Sequence, residues 1–226
     1  MKKPSLALFL TTLLIGTVNA QDAAPTQDVY LGLGFPGGVV LGYGKPMGET
    51  WGLRWEYGSG LKRSEVGTSE GLSYTGSAKA SLFGAFADWY PFENGFRLVG
   101  GLTVNNIKAS LIGNGSNATT INGKRVNLAN ETFNVDLKFP SVSPYLGFGY
   151  GHQKSNQPGL GFYADLGVMF GTFSSAVTTS LVGRQTITQS DVITQSDVDA
   201  QTKKIRDSIV NANLLPYASL GVTYGF

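Results

Sequence analysis

YASLGVTYGF, residues 217–226, sorts its side chains onto two unlike faces. In an extended chain Ala218, Leu220, Val222, Tyr224 and Phe226 share one side, and Tyr217, Ser219, Gly221, Thr223 and Gly225 share the other. A soluble antiparallel sheet turns its apolar face to a core and its polar face to water. Here the bulky apolar face is continuous and ends in aromatics, while the opposite face is small and only locally polar.

The same alternation recurs in seven further segments. Val29, Leu31, Leu33, Phe35, Val39, Leu41 and Tyr43 oppose Tyr30 and a run of glycines, reading as one strand. Trp51, Leu53, Trp55 and Tyr57 oppose Arg54 and Glu56; Phe83, Ala85, Ala87 and Trp89 oppose Phe86 and Asp88. Leu98, Leu102 and Val104 oppose Arg97 and Thr103, Leu146 and Phe148 oppose Tyr145 and Gly147, and Phe162, Leu166 and Phe170 oppose Tyr163 and Asp165. The weaker AVTTSLVGR sets Val177, Thr179 and Leu181 against Ser180 and Arg184. With the closing stretch these predict an all-β fold, an eight-stranded antiparallel up-and-down transmembrane β-barrel, apolar toward lipid and girdled by Trp51, Trp55, Trp89 and Tyr224. Closure is compulsory, because an unpaired edge in hydrocarbon leaves backbone groups unsatisfied.

Composition agrees. The 226 residues hold 31 glycines, 12% aromatics and 14% charged residues, with no cysteine to form a disulfide. MKKPSLALFLTTLLIGTVNAQ pairs Lys2 and Lys3 with an apolar run and small residues at Val18 and Ala20, so residues 1–20 read as a cleaved secretory signal peptide and 21–226 as one barrel domain. Lys2 and Lys3 account for the whole formal charge of +2, so nothing in the remaining balance points to nucleic acid as a partner.

An eight-stranded barrel has a lumen that side chains fill. Inward glycines then make room for the few large polar groups that phase places inside: Arg54, Glu56, Asp88, Arg97, Asp165 and Arg184. Buried charges need partners, and across the short PFEN turn Asp88 is expected opposite Arg97. KPMGE, PFEN and KSNQPG read as short periplasmic turns. The longer stretches near 59–74 and 112–143 then face outward, the second containing an Asn122-Gly123 hairpin that extends the barrel wall. Regular pairing is not expected beside Pro140 and Pro144. An amphipathic helix over about 196–212, capped by Ser196 and carrying Val198, Thr202, Ile205, Ile209 and Ala212 on one face, precedes the last strand. The strand count puts it on the periplasmic side, against the barrel mouth or the membrane interface.

The blocks DWYPFENGFRLVGGLTVNNIKAS, PYLGFGYG, GFYADLGVMFG and GVTYGF, with the leader and the helix, resemble small Gram-negative outer-membrane barrels of the OmpA, OmpX and OmpW type. That resemblance implies an integral outer-membrane location in contact with outer-membrane lipid. It also implies insertion by the barrel assembly machinery with periplasmic chaperones, Tyr224 and Phe226 resembling the recognised terminal signal.

Catalytic chemistry is weakly represented. Gly32, Gly34 and Gly37 spell GxGxxG, but no helix opens after them, as a nucleotide site requires. The single histidine, His152, removes most metal and triad arrangements and reads as an exposed residue beside a turn. No catalytic, cofactor or metal site is expected. The favoured role is a filled barrel displaying its loops, ahead of a narrow solute channel or an outer-leaflet lipid-modifying enzyme; the external ligand is not legible.

Overall fold

The computed structural model describes residues 27–69, 72–92, 94–113, 119–129, 131–152, 158–209 and 213–226. The leader, most of KSNQPG, Ala212, and Asn117 and Asn130 of the two Asn-x-Thr triplets, which carry no functional reading, lie outside these. The described strands are β1 (Asp28–Phe35), β2 (Gly38–Pro46), β3 (Trp51–Ser69), β4 (Leu72–Trp89), β5 (Phe96–Asn105), β6 (Lys108–Gly113), β7 (Thr119–Ile121), β8 (Lys124–Val126), β9 (Phe133–Lys138), β10 (Val142–Tyr150), β11 (Gly159–Phe170), β12 (Ser174–Thr179) and β13 (Leu214–Gly225). One helix, α1 (Gln195–Ile209), stands between β12 and β13.

Eleven strands form one antiparallel sheet in the order β12-β9-β6-β4-β3-β2-β1-β13-β11-β10-β5, and an added β4–β5 pairing closes it. The closure is possible because β4 is long enough to serve two partners: Leu82 to Trp89 pair with β5, whereas Tyr74 to Lys79 pair with β6. The register is strongly staggered. Phe35, at one end of β1, lies level with Ala218, then Leu166, Phe148, Leu98, Trp89 and finally Trp51, at the opposite end of β3. Such a stagger is the signature of strands tilted around a closed barrel.

The faces follow the alternation. Leu31, Leu41, Phe83, Leu146, Phe162 and Leu220 are exposed on the outside, and Tyr30, Phe86, Tyr145, Tyr163 and Tyr217 are buried inside. Two segment readings are corrected. Residues 29–44 are not one strand but the β1–β2 hairpin; alternation runs through the turn unbroken because the paired Gly34 and Gly38 are an even number of residues apart. AVTTSLVGR supplies β12, which pairs only with β9 and lies outside the closed circuit.

The barrel has a lower end, carrying Asp28, Gly225 and the turns after β2, β4 and β10, and an upper end carrying the long connections. Beyond the upper end β3, β4, β6, β9 and β12 continue as a wall. A bulge at Gly60, whose φ of 112° suits glycine, marks where β3 leaves the barrel. Asn122 and Gly123, with φ 48° and 84°, turn β7 into β8 as expected, but this hairpin is a separate two-stranded sheet and does not extend the wall. Pro144 is accommodated within β10, opposite Leu102.

The helix is displaced from its expected place. It belongs to the connection from the upper end of β11 to the upper end of β13, opposite the short turns, so it cannot share their side. Nor does it rest on the mouth as a loose amphipathic element: Val198 and Ile205 enter a second apolar core with Ile121, Val126, Phe133, Val135 and Leu181. Its cap is Thr194, not Ser196. Thr194 Oγ1 accepts from Asp197 N at 3.3 Å, while Asp197 Oδ2 accepts from Thr194 N at 2.9 Å, a reciprocal capping box.

Asp197 also ties the helix to the hairpin, accepting from Lys124 Nζ at 2.9 Å and Asn122 Nδ2 at 3.1 Å. The Lys124 ammonium, then the Thr194 N–H, hold its carboxyl well below the usual range. A carboxyl depressed on folding stabilises fully above its unfolded pKa of about 3.9 and loses that contribution as pH falls toward the folded value. Acidification from pH 5 to pH 2 is therefore expected to raise hydrogen exchange in α1 and β7–β8 while β1 and β13 stay protected. Asp197→Asn should weaken the same elements at neutral pH by about 1 kcal/mol and flatten that acid response. An unchanged acid response in the variant would assign the transition to other carboxylates.

Candidate functional site

The lower half of the lumen holds an ion lattice built from inward positions of successive strands. Arg54 from β3 is its hub and is 2% exposed. Its Nε donates to Asp88 Oδ2 at 2.9 Å and its Nη2 to Asp88 Oδ1 at 3.3 Å, a forked grip on one carboxylate. Its Nη1 reaches Asp165 Oδ2 at 3.1 Å and Glu56 Oε2 at 3.6 Å. The guanidinium also lies 5.0 Å from the centre of the Phe86 ring. Arg97 donates through Nη2 to Asp165 and through Nη1 to the Gly151 carbonyl.

The expected facing pair Asp88 and Arg97 is only partly realised. Asp88 lies level with Val99, not Arg97, and Arg97 Nε stands 3.6 Å from Asp88 Oδ1. The register is offset by two residues, so Arg97 takes Asp165 as its main partner. Arg184 is not in the lumen at all: it lies on the upper part, largely exposed, 2.7 Å from Glu131. It was placed inside by the phase of a segment that does not enter the circuit.

Further members complete the lattice. Asp28 and His152 are buried at the lower mouth, with His152 Nδ1 3.0 Å from Asp28 Oδ2; the imidazole N–H donates, since a carboxylate only accepts. Thr223 Oγ1 donates to the same oxygen at 2.6 Å. His152 is thus a buried component and not an exposed flank of a turn; Tyr90 Oη donates to its carbonyl at 2.9 Å. Glu56 accepts from Tyr30 Oη at 3.2 Å and from Tyr217 Oη. Four carboxylates, Asp28, Glu56, Asp88 and Asp165, face two guanidiniums, and further donors from Tyr30, Tyr217, Thr223 and His152 fill the remaining acceptor positions. Phase set Tyr30 and Tyr217 on the inward face, and Asp28, missed by the sequence reading, shares the phase of Tyr30 two residues later, so a signal for it existed; His152 carried none because it follows the strand end.

Glycine makes the lattice fit. A methyl at Gly149 falls 2.3 Å from Asp165 Oδ1, one at Gly44 falls 2.1 Å from Asp28 Oδ1, and one at Gly42 falls 2.0 Å from the Tyr30 ring. Gly147 and Gly167 both face the Tyr145 hydroxyl at 2.4 Å. Above the ions Phe86, Val99, Tyr145, Met169 and Tyr217 pack with Leu82 and Phe139 into an apolar plug. Below them the space bounded by Asp28, Arg54, Asp88, Tyr90 and His152 measures about 20 Å³, of the order of a single water.

On the outer face Trp51 and Trp89 stack at 6.3 Å and Tyr43 and Trp55 at 5.9 Å. Tyr224 and Phe226 are exposed at the lower end. No helix among the described residues is long and apolar enough to cross a membrane.

No family model and no curated protein sequence matches the chain. Solved structures do resemble it. CarO2 of Acinetobacter baumannii superposes with a TM-score of 0.59 at 21% identity, covering 89% of this chain and 97% of its own. CarO of Acinetobacter baumannii gives 0.56 at 16% identity, covering 92% and 100%. Both are outer-membrane β-barrel proteins, and at these identities the likeness establishes the shared fold.

Proposed function

We propose that the chain is an integral outer-membrane barrel in which eight strands, β1 to β5, β10, β11 and β13, cross the bilayer. The lower end with its short turns faces the periplasm, and the β6–β9, β12 and α1 assembly stands outside the cell. Its lumen is a filled, load-carrying centre, and its role is structural and interactive, exercised by the outer assembly. The observation that carries this reading is the stack of a buried ion lattice beneath an aromatic plug, within a wall whose outside is apolar. The CarO likeness supports the barrel; the narrower kinship with OmpA, OmpX and OmpW type barrels rests on the sequence blocks, and insertion through the terminal Tyr224 and Phe226 signal rests on resemblance.

Solute flux tests it. Vesicles loaded with the purified protein should admit small sugars and amino acids no faster than empty vesicles. Flux that scales with protein content, and that Gly149→Ala reduces, would favour the narrow-channel reading. A change in lipid masses on expression would favour an outer-leaflet enzyme instead.

A further inference from the structure

The wall above the barrel carries a row of lysines. Lys62, Lys79, Lys108 and Lys138 lie level on β3, β4, β6 and β9, each the cross-strand partner of the next. Partners in register share a face, and adjacent strands are about 4.8 Å apart, so four like charges stand side by side where like neighbours repel. All four are exposed. Among the described residues none forms an ion pair; the nearby Glu65 is held by Arg63. The row borders a concave basin of about 1020 Å³, also lined by Ser64, Ser77 and Ser110, in which Asp136 is the one carboxylate.

The face is decisive. Lys79 keeps the phase of Phe83, Ala85 and Trp89 on β4, and the bulge at Gly60 shifts β3 so that Lys62 joins it. The row therefore looks outward, in the same direction as the lipid-facing belt. Lys108 follows the outward Val104 by four residues and Lys138 precedes the outward Val142 by four, at most roughly 13 Å of chain. An unpaired cationic row at this level, continuous below with an apolar surface, matches an amphiphile having acyl chains below and anionic oxygens above.

Resting on the outer-membrane reading, we propose that this basin binds the phosphorylated headgroup of an outer-leaflet glycolipid. The lysines meet the phosphates, the serine hydroxyls meet the sugar, and the acyl chains lie on the outer belt near Val104 and Val142. Salt should weaken the contact, since exposed charges are screened.

The test is native mass spectrometry of the full chain in detergent, with diphosphoryl lipid A and its dephosphorylated form as probes. The wild type should retain the diphosphoryl form preferentially. Replacing all four residues, Lys62→Gln, Lys79→Gln, Lys108→Gln and Lys138→Gln, should lower retention at least about tenfold, a loss that removing two cations beside an anionic surface already reaches, while the four Lys→Arg exchanges keep it. Should the fourfold Gln variant not fold, Lys79→Gln with Lys108→Gln serves. Equal retention of both lipids, or retention untouched by the Gln exchanges, overturns the proposal. Displacement by millimolar inorganic phosphate also overturns it, assigning the basin to free phosphate. A heat-sensitive compact band in each variant confirms the barrel itself, so failure of the lipid site is distinguishable from failure of the membrane reading.

Discussion

Arg54→Leu is expected to destabilise the barrel by about 3–5 kcal/mol, the range for stripping one partner from a buried charge cluster. The residue is 2% exposed and contacts Asp88, Asp165 and Glu56, all buried. Removing the guanidinium leaves these carboxylates facing one another with Arg97 alone as cation. The measurement is the urea midpoint of unfolding from lipid vesicles, converted through the slope of the transition. Arg54→Leu combined with Asp88→Leu should recover part of the loss, because the forked pair is removed together while Arg97 keeps Asp165 as its partner. If the single and double variants fall equally, the lattice acts through packing and not through charge.

Leu31→Arg is expected to cost about 2–4 kcal/mol, the range for a cation on the lipid face near the midplane. Leu31 sits midway along β1, level with Leu41 and Val222 in an uninterrupted outward apolar patch, and is 53% exposed. The contrast is with Lys62→Leu on the upper wall, which should leave the unfolding midpoint in place. The same vesicle titration reads both. A soluble protein would reverse the first result, since an exposed Leu→Arg change on a water-facing strand is close to neutral.

Phase was the most legible feature of this chain. It put Tyr30, Arg54, Glu56, Asp88, Arg97 and Asp165 inside and the tryptophans outside, because a period of two is fixed by strand geometry and survives any error in connectivity. Connectivity was less legible for the same reason. The turn at Pro36-Gly37 preserves phase, so β1 and β2 merged into one reading, and β12 alternates as a barrel strand does while pairing only with β9. Counting β12 as a spanning strand also reversed the end to which α1 belongs. The outer core could not be read, since Ile121, Phe133, Val135 and Leu181 come from short elements far apart in sequence. His152 gave no sign of burial, because its place depends on Asp28 arriving from the other end of the chain.

The central claim is that a rolled sheet presents one side of each strand to hydrocarbon, and the absence of cysteine lets it be tested one position at a time. Single cysteines at successive positions from Tyr217 to Tyr224, each carrying an environment-sensitive fluorophore in vesicles with brominated acyl chains, would be read for quenching. Strong quenching at Ala218, Leu220 and Val222 with little at Ser219, Gly221 and Thr223 is the predicted result. Uniform quenching, or none above that of a label at Lys124, would contradict it.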